Sequence, residues 1–524
     1  MNQFIREVDG VPILVANDGA RSDIQIRPGE RDRLVLEAEA ALRKAGRVFQ
    51  VAGNPVVVGY EQMPTIDGNQ KLLRRVLLSR ATMMTELVRS ARWWSLDRKG
   101  KPVPREPPGG VAEHLLDQSV DLGLPVLTGV VTAPQLRSDG TILEPGYDAI
   151  TGLYFDSCGA DFLDVPKRPS REEARAALDR LALPLRAFPF VDMASRSVAL
   201  ASLLTPFVRR AFRAAPGFAY SSPVAGSGKT MLARISALLA TGESSAAISP
   251  GSGPEELEKR MGAALLSGRP YLTLDNIEND NWNAPLLCTA LTEDTVLVRV
   301  LGASKLIEVH NVATIAATGN NLIIPGDLTR RFLLARLDPG VERPELSYFD
   351  FSPCDEVIRK RPQLVCDALT VLRAHLQAGQ PQAEGVVALG SFEGWSHFVR
   401  DALIWLGEAD PVSSMADVRQ NDPGRGTLDA VMQAWERLGP QGEGRRPASQ
   451  LIEVASRNVE WHMVLSGIAS KGRGTLCPVR LGRWLSKNKD RVVNGRRILG
   501  AGASHGLSVY QLEVSTSNKG SSSR

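Results

Sequence analysis

The segment from Pro223 to Thr230 has the residue types that bind nucleotide phosphates. It reads Pro-Val-Ala-Gly-Ser-Gly-Lys-Thr, with a short apolar stretch before it and a helical pattern after it. Small residues let backbone N–H groups close around a β-phosphate, and a helix N-terminus favours negative charge. Lys229 would reach the β- and γ-phosphates, and the Thr230 hydroxyl would ligate magnesium. The sequence therefore predicts binding of ATP and Mg²⁺.

This loop departs from the usual phosphate-binding pattern at one position. Pro223 stands where the pattern has its first glycine, whereas the segment from Gly226 to Thr230 is intact. The predicted nucleotide-binding residues are Pro223, Val224, Ala225, Gly226, Ser227, Gly228, Lys229 and Thr230.

A metal-positioning acid is expected on a buried strand beside such a loop. Tyr271-Leu-Thr-Leu-Asp275 is apolar and ends in a carboxylate, so we predict that Asp275 binds magnesium through water. The next residue is Asn276, where many ATPases of this kind have a glutamate that polarises the attacking water. Glu278 or another group would then serve as the base, and slow hydrolysis is the alternative.

Three more polar residues follow in an order that suits nucleotide hydrolysis. The segment from Val312 to Thr318 predicts a third strand, with Asn320 at its tip, where it would orient the attacking water. Arg330 and Arg331 precede another apolar strand, which suits a finger that reaches the γ-phosphate of a neighbouring subunit. The alternative for each arginine is a solvated or ion-paired side chain. The predicted catalytic residues are Lys229, Asp275, Asn320, Arg330 and Arg331.

A β-hairpin is predicted between the metal strand and the third strand. Residues 295–301 and 305–310 alternate apolar and polar side chains, and Gly302-Ala-Ser joins them. Arg299, Lys305 and His310 are near this hairpin and could contact a DNA phosphate. An ordinary hairpin with solvated charges is the alternative.

The elements that must position these residues follow an α/β pattern, because apolar strands alternate with helices from Phe218 to Leu337. Earlier in the chain, a basic helix is predicted from Gln70 to Trp94. The predicted domains are an N-terminal mixed α+β domain of unknown role (1–165), a P-loop ATPase core (166–345), a helical lid (346–410), a linker (411–425), a winged-helix domain (426–514) and a disordered tail (515–524).

The C-terminal region carries a local excess of positive charge. Residues 471–500 contain nine Lys/Arg and one acid, although the whole chain has 62 basic and 58 acidic residues. Helices followed by a β-hairpin, with cations on the third helix and the hairpin, indicate a winged-helix DNA-binding module. The predicted DNA contacts here are Arg480, Arg483, Lys487, Arg496 and Arg497.

The composition excludes several other classes of protein. The longest uncharged apolar run, from Val198 to Val208, is too short to span a bilayer. The five cysteines are scattered without a CxxC pair, which argues against a zinc ribbon or a disulfide framework and fits a reducing cytoplasm. Six isolated histidines lack the HExxH pattern of zinc hydrolases.

The order of loop, metal strand, hairpin, sensor strand and arginine pair resembles the AAA+ ATPases of the helicase clade, superfamily III and MCM-like. Further stretches resemble replication helicases of prophages and integrative mobile elements. They are Thr318-Gly-Asn-Asn-Leu, Gly326-Asp-Leu-Thr-Arg-Arg, Gly390-Ser-Phe-Glu-Gly-Trp-Ser, Trp405-Leu-Gly and Leu481-Gly-Arg-Trp-Leu. The resemblance covers about residues 200–514.

This resemblance implies a homohexamer around DNA, with ATP sites between subunits. Lys229, Thr230, Asp275 and Asn320 would act within one subunit, Arg330 or Arg331 would act on the next subunit, and the hairpin would move the strand. The implied fold is an α/β AAA+ core with a helical lid, a mixed α+β N-terminal domain and a C-terminal winged helix.

The function so predicted is an ATP-dependent DNA helicase or replication initiator of a mobile genetic element. One rival is an AAA+ remodeller that acts on protein. The other is a DNA-binding switch that binds ATP and hydrolyses it slowly, which Asn276 keeps open.

Overall fold

The computed structural model divides the chain into two compact units. The large unit comprises residues 1–322 and 331–415, and the C-terminal unit comprises residues 323–330 and 416–524. The structure describes residues 4–8, 11–15, 21–65, 68–117, 123–245, 247–278, 282–299, 306–346, 351–420, 422–471, 475–504 and 507–514.

The described residues in the first part of the large unit form three helices and three small sheets, one of which is the antiparallel pair of β1 and β2. Strands β4, β5 and β6 form an antiparallel sheet, and β3, β7 and β8 form a mixed one. The elements are β1 (Phe4–Val8), β2 (Val11–Val15), β3 (Ser22–Gln25), α1 (Arg31–Ala45), β4 (Val48–Val51), β5 (Asn54–Thr65), β6 (Gly68–Leu77), α2 (Arg80–Ser90), β7 (Ala91–Leu96), β8 (Pro102–Pro104) and α3 (Gly109–Asp117).

The basic helix predicted from Gln70 to Trp94 is wrong. The structure has strand β6, helix α2 and strand β7 in this stretch. The Ser79 hydroxyl accepts a hydrogen bond from the Thr82 N–H. Ser79 is therefore the N-cap of α2, and the helix begins only at Arg80. Residues before Ser79 pair with the adjacent strand β5, and residues after Ser90 pair with the more distant strand β3, so strand pairing overrides the local helical pattern.

A short three-stranded sheet follows and leads into the core. Its strands are ordered β10-β11-β9. The elements are β9 (Gly129–Val131), β10 (Gly146–Tyr147), β11 (Leu153–Phe155), α4 (Arg171–Ala182) and α5 (Met193–Leu204). Gly129 has to be small, because a Cβ there would lie 2.9 Å from the Val312 side chain.

The core is a five-stranded parallel sheet with the order β13-β14-β17-β12-β18. Strands β12 and β14 are buried along their whole length, as expected for a parallel sheet covered on both faces. The elements are β12 (Gly217–Ser222), α6 (Lys229–Thr241), β13 (Ala247–Ile248), α7 (Pro254–Leu266), β14 (Tyr271–Leu274), α8 (Pro285–Thr292), β15 (Thr295–Arg299), β16 (Leu306–His310), β17 (Thr314–Asn320) and β18 (Phe332–Arg336). The predicted α/β class is confirmed, and the sheet is parallel.

The helices after the sheet pack onto the same core. Leu369 of α9 shares one hydrophobic cluster with Leu200 of α5 and Leu232 of α6. A π-helical turn, Ser396–Arg400, separates α10 from α11. The elements are α9 (Pro353–Gln377), α10 (Glu393–Trp395), α11 (Asp401–Trp405) and α12 (Ser414–Gln420). A lid role for residues 346–410 stays a prediction.

The described residues of the C-terminal unit comprise most of α12, four further α-helices and a three-stranded antiparallel sheet in the order β19-β21-β20. Trp435, Trp461 and Leu481 are buried in its core. The elements are α13 (Pro423–Arg437), β19 (Arg446–Pro447), α14 (Ala448–Ala455), α15 (Val459–Ala469), α16 (Pro478–Asn488), β20 (Arg496–Ser504) and β21 (Leu507–Val514). The segment predicted as a linker, 411–425, contains α12 and the start of α13.

Two details of this unit differ from the sequence interpretation. Helix α15 precedes α16, so the cationic helix is the fourth in residues 426–514 and not the third. Asn494 and Gly495 both have positive φ and form a turn. This turn joins Val493 and Arg496 through a single β-bridge and does not connect two strands of the sheet. Strand β20 begins after this turn and pairs with β21. Among the described residues of both units, no helix has the length and apolar character to cross a membrane.

Candidate functional site

The phosphate-binding segment forms a tight loop between β12 and α6. Gly226 and Gly228 have φ values of 73° and 94°, which only glycine adopts without strain. A Cβ on Gly228 would also lie 2.8 Å from the Phe188 ring. The loop therefore depends on both glycines.

Lys229 lies inside this loop and is only 8% exposed. Its Nζ donates hydrogen bonds of 2.9 Å to the Val224 carbonyl and of 2.9 Å to the Ser227 hydroxyl. Burial lowers the pKa of Lys229, while the nearby Asp275 carboxylate opposes that shift. The ammonium is thus held among oxygens that a phosphate group would replace.

Asp275 follows β14 and links two other elements. The Thr230 hydroxyl donates to its Oδ1 at 2.9 Å, and the Thr318 hydroxyl donates to the same oxygen at 2.6 Å. Thr230 is the second residue of α6, and Thr318 is on β17. The structure therefore joins the loop, the predicted metal acid and the sensor strand through one carboxylate oxygen. Thr230 and Asp275 are oxygen ligands of the kind that Mg²⁺ prefers.

Thr318 was not predicted as a site residue. Its position in Thr318-Gly-Asn320 gives the signal, because residues two apart on a strand point to the same face. The Asn276 N–H also donates to the Thr318 hydroxyl, at 3.2 Å.

Glu278, the candidate for the catalytic base, lies beside Asn276. Asn276 has a φ of 56°, in the left-handed region, and its Nδ2 donates to Glu278 Oε1 at 2.9 Å. Both side chains are exposed at the carboxyl end of β14. The structure therefore places a carboxylate near Asp275, held by the residue that stands where a glutamate was expected.

Asn320 ends β17, which lies between β12 and β14 in the sheet. Asn320 is paired in register with Ser222, the last residue of β12 before the loop. It is exposed, whereas the rest of its strand is buried. The carboxyl ends of parallel strands meet at one edge of a sheet, where ligands bind in open α/β folds.

An apolar cavity of about 390 Å³ adjoins the loop. Phe188, Met231 and Phe351 contribute large side chains to its wall, beside Gly226 and Gly228. The Arg186 guanidinium covers the Phe351 ring, 3.4 Å from its centroid. An apolar, aromatic wall beside a phosphate loop suits a nucleobase.

The tandem arginines belong to different units. Arg330, in the C-terminal unit, is 57% exposed and its guanidinium pairs with Asp327. Arg331, in the large unit, donates to the Cys288 carbonyl at 2.7 Å and to the Thr292 hydroxyl at 2.8 Å. Since these partners lie at the end of α8, the geometry favours a structural role for Arg331 and leaves Arg330 as the finger candidate.

The predicted hairpin is present as β15 and β16. Val296, Val298 and Val309 form its buried face, while Leu297 and Leu306 are 62% and 64% exposed on the other face. Helix α7 approaches this hairpin closely, since a Cβ on its Gly262 would lie 2.9 Å from Val298.

The three predicted DNA contacts of the hairpin have different surroundings. Arg299 is exposed on the outer face, opposite Leu306. His310 is at the base, with Nδ1 3.4 Å from the Asp294 carboxylate, which also binds Arg210 at 2.7 Å. Lys305 lies outside the described residues. The geometry favours Arg299 over His310 as a DNA contact.

The C-terminal cations separate into two groups. Arg483 and Lys487 are exposed on α16, and within the described part of the chain neither forms an ion pair. Arg480 is also exposed and donates to the Ser470 carbonyl. By contrast, Arg496 is 22% exposed and binds Glu436 at 2.6 Å, and Arg497 pairs with Glu513. The helix therefore offers more accessible charge than the strand.

No protein-family model matches the chain, and no curated protein matches it. Among solved structures, the C-terminal region of NrS-1 is 12% identical with a TM-score of 0.37, over 87% of this chain and 97% of that one. SCCmec type IV Cch, an active helicase, is 11% identical with a TM-score of 0.35, over 90% and 97%. JCV helicase is 15% identical with a TM-score of 0.22, over 48% and 74%. Identities and TM-scores this low assign no function to this chain.

Proposed function

We propose that this protein is an ATP-dependent DNA helicase or replication initiator of a prophage or other mobile element, working as a hexameric ring that translocates on DNA. The observation that carries the proposal is that one oxygen of Asp275 accepts hydrogen bonds from the hydroxyls of both Thr230 and Thr318. That contact brings the phosphate loop, the metal acid and the sensor strand to one edge of a parallel sheet.

In this proposal the nucleotide lies along the loop, with its base in the apolar cavity. Lys229 leaves its loop oxygens and binds the β- and γ-phosphates. Thr230 and Asp275, the latter through water, would hold magnesium, which would neutralise phosphate charge. Asn320 orients the attacking water.

The proton of the attacking water needs an acceptor. Glu278 is the best candidate, because its carboxylate accepts a hydrogen bond from Asn276, the residue that follows Asp275 in the chain. Arg330 of one subunit stabilises charge on the γ-phosphate bound to the next, and ADP and phosphate are the products.

The DNA contacts in this proposal are the outer face of the hairpin and helix α16. Arg299 accompanies exposed leucines on the hairpin, and Arg483 and Lys487 give α16 a cationic surface. The sequence of helices, short strand and β-hairpin in the C-terminal unit supports a winged-helix module that binds duplex DNA.

The second candidate function is a DNA-binding ATPase switch, or a protein remodeller, without unwinding activity. Asn276 favours it, because a carboxamide beside Asp275 cannot accept a proton as a carboxylate does. In that case Glu278 would be a surface residue and hydrolysis would be slow.

A paired assay on purified protein tests the proposal. We expect DNA-stimulated ATP hydrolysis together with ATP-dependent displacement of a strand from a forked duplex. Hydrolysis and DNA binding without displacement would favour the switch. Hydrolysis that ignores DNA would favour the remodeller, and absence of ATP binding would refute all three.

A further inference from the structure

Within the described residues of this domain, helices cover one face of the sheet β3-β7-β8 and leave the other face open. Ile24, Ala91 and Trp93 point to the other face, where they pack with α1, α2 and α3 in one buried cluster. Successive side chains of a strand point to opposite faces, so Gln25, Trp94 and their neighbours lie on the outer face.

This outer face is apolar and aromatic at its centre. Trp94 lies between Gln25 of β3 and Pro104 of β8, according to the strand register. Trp94 is half-buried, and Leu96 on the same face is 50% exposed. Arg92 is exposed there too, opposite Asp23, so its charge is balanced locally.

Positive charge is concentrated in the turn between β7 and β8. Arg98, Lys99 and Lys101 are all exposed, and among the described residues none of them forms an ion pair. The Asp97 carboxylate accepts the backbone N–H groups of Lys99 at 2.8 Å and Lys101 at 2.9 Å. Its oxygens therefore shape the turn, and the three cations extend beyond it.

We propose that this face binds single-stranded DNA, with Trp94 stacking on a base and the turn 98–101 contacting the backbone. An open β-sheet face with an aromatic ring and flanking cations is a typical surface for single strands. A duplex keeps its bases stacked on each other, so it offers the indole no base face. The site is separate from the ATP site and does not rest on the proposed helicase activity.

Binding of nucleotide-free, full-length protein to labelled oligo(dT), measured by fluorescence anisotropy, tests the site. We expect Trp94→Ala to weaken binding by about tenfold, since stacking on an aromatic ring contributes this much per base. Trp94→Phe should retain most of the affinity. The combined change Arg98→Glu, Lys99→Glu and Lys101→Glu should lower the log–log salt slope by about 2.

A matched variant controls for net charge. Lys44→Glu, Arg168→Glu and Arg359→Glu together change the charge equally at exposed positions elsewhere in the large unit, and should leave the slope nearly unchanged. Lys229→Ala should bind oligo(dT) as the wild type does, which separates this site from the ATP site.

Photocrosslinking to a strand that contains 5-iododeoxyuridine locates the contact. A crosslinked peptide that contains Trp94 would support the proposal. Unchanged affinity in both the Trp94→Ala and the turn variants would overturn it. An equal loss of affinity for a duplex of the same length would overturn the assignment to single strands.

Discussion

The large unit and the C-terminal unit differ in how their functional candidates are bonded. In the large unit these polar side chains bond to one another, whereas in the C-terminal unit some cations form ion pairs and others are exposed. In the large unit, Thr230 and Thr318 meet on one oxygen of Asp275, between elements distant in sequence. In the C-terminal unit, Arg496 forms ion pairs with acidic side chains, whereas Arg483 is exposed on α16.

The difference shows which polar contacts a sequence determines. Groups at the edge of a buried parallel sheet need hydrogen-bond partners, and the order of the strands supplies them. Surface ion pairs contribute little free energy. Two arginines of the same unit, such as Arg496 and Arg483, can therefore differ in whether they are ion-paired, and the sequence does not indicate which one is.

The largest expected effect is that of Lys229→Ala on hydrolysis. Loss of the ammonium at the β- and γ-phosphates, which no described neighbour replaces, should abolish ATP turnover while the fold survives. Steady-state phosphate release and a thermal melt measure the two effects. Lys259→Ala, on the exposed face of α7, is the matched control and should hydrolyse ATP normally. Wild-type turnover in Lys229→Ala would show that the loop is not the active site.

The tandem arginines provide the next test, across a subunit boundary. Arg330→Ala should bind ATP yet hydrolyse it about 10³-fold more slowly, as for loss of an arginine finger. Mixing it with Lys229→Ala subunits should restore some activity, because an intact Lys229 can then meet an intact Arg330. Arg331→Ala should instead lower the melting temperature, since it removes the bonds to the end of α8. Normal hydrolysis in both variants would refute the inter-subunit site.

The C-terminal unit allows a sharper comparison between two arginines. Arg483→Ala should flatten the log–log salt dependence of duplex binding by about 0.9 and leave stability unchanged. Arg496→Ala should keep the slope and cost about 1 kcal/mol in the free energy of unfolding, because its partners Glu436 and Asp429 lose their counter-charge. Salt titrations by anisotropy and urea unfolding measure both. The reverse pattern would place the DNA on the strand and not on α16.

The smallest expected effect concerns the base of the hairpin. The imidazole of His310, 3.4 Å away, together with Arg210, lowers the pKa of Asp294. A lowered carboxyl pKa stabilises the fold at pH values above the ordinary value of 3.8, and this contribution is lost as the pH falls below it. Asp294→Asn should therefore cost about 0.5 kcal/mol at neutral pH, since the group is partly exposed. The difference in melting temperature between Asp294→Asn and the wild type should disappear at acid pH. A gap that persists there would assign the effect to packing.

The sequence predicted the sheet well, because its signals are local. Apolar runs ending in Ser222, Asp275 and Asn320 each became a parallel strand or its end. It failed at residues 70–94, where β6 pairs with the preceding strand β5 and β7 pairs with β3, which is about 70 residues earlier in the chain. Thr318 was missed for a related reason: its role comes from facing Asp275 on the adjacent strand.

The C-terminal unit includes residues 323–330 from the middle of the chain, and the Gly326 N–H donates to the Asp422 carboxylate within this unit at 3.4 Å. The unit is therefore discontinuous in the gene. A recombination event with one breakpoint near residue 416 would transfer an incomplete unit and leave its missing loop behind. Exchange of this unit between related proteins would need an additional internal breakpoint on each side of the loop, so selection would tend to keep the two units as one inherited block.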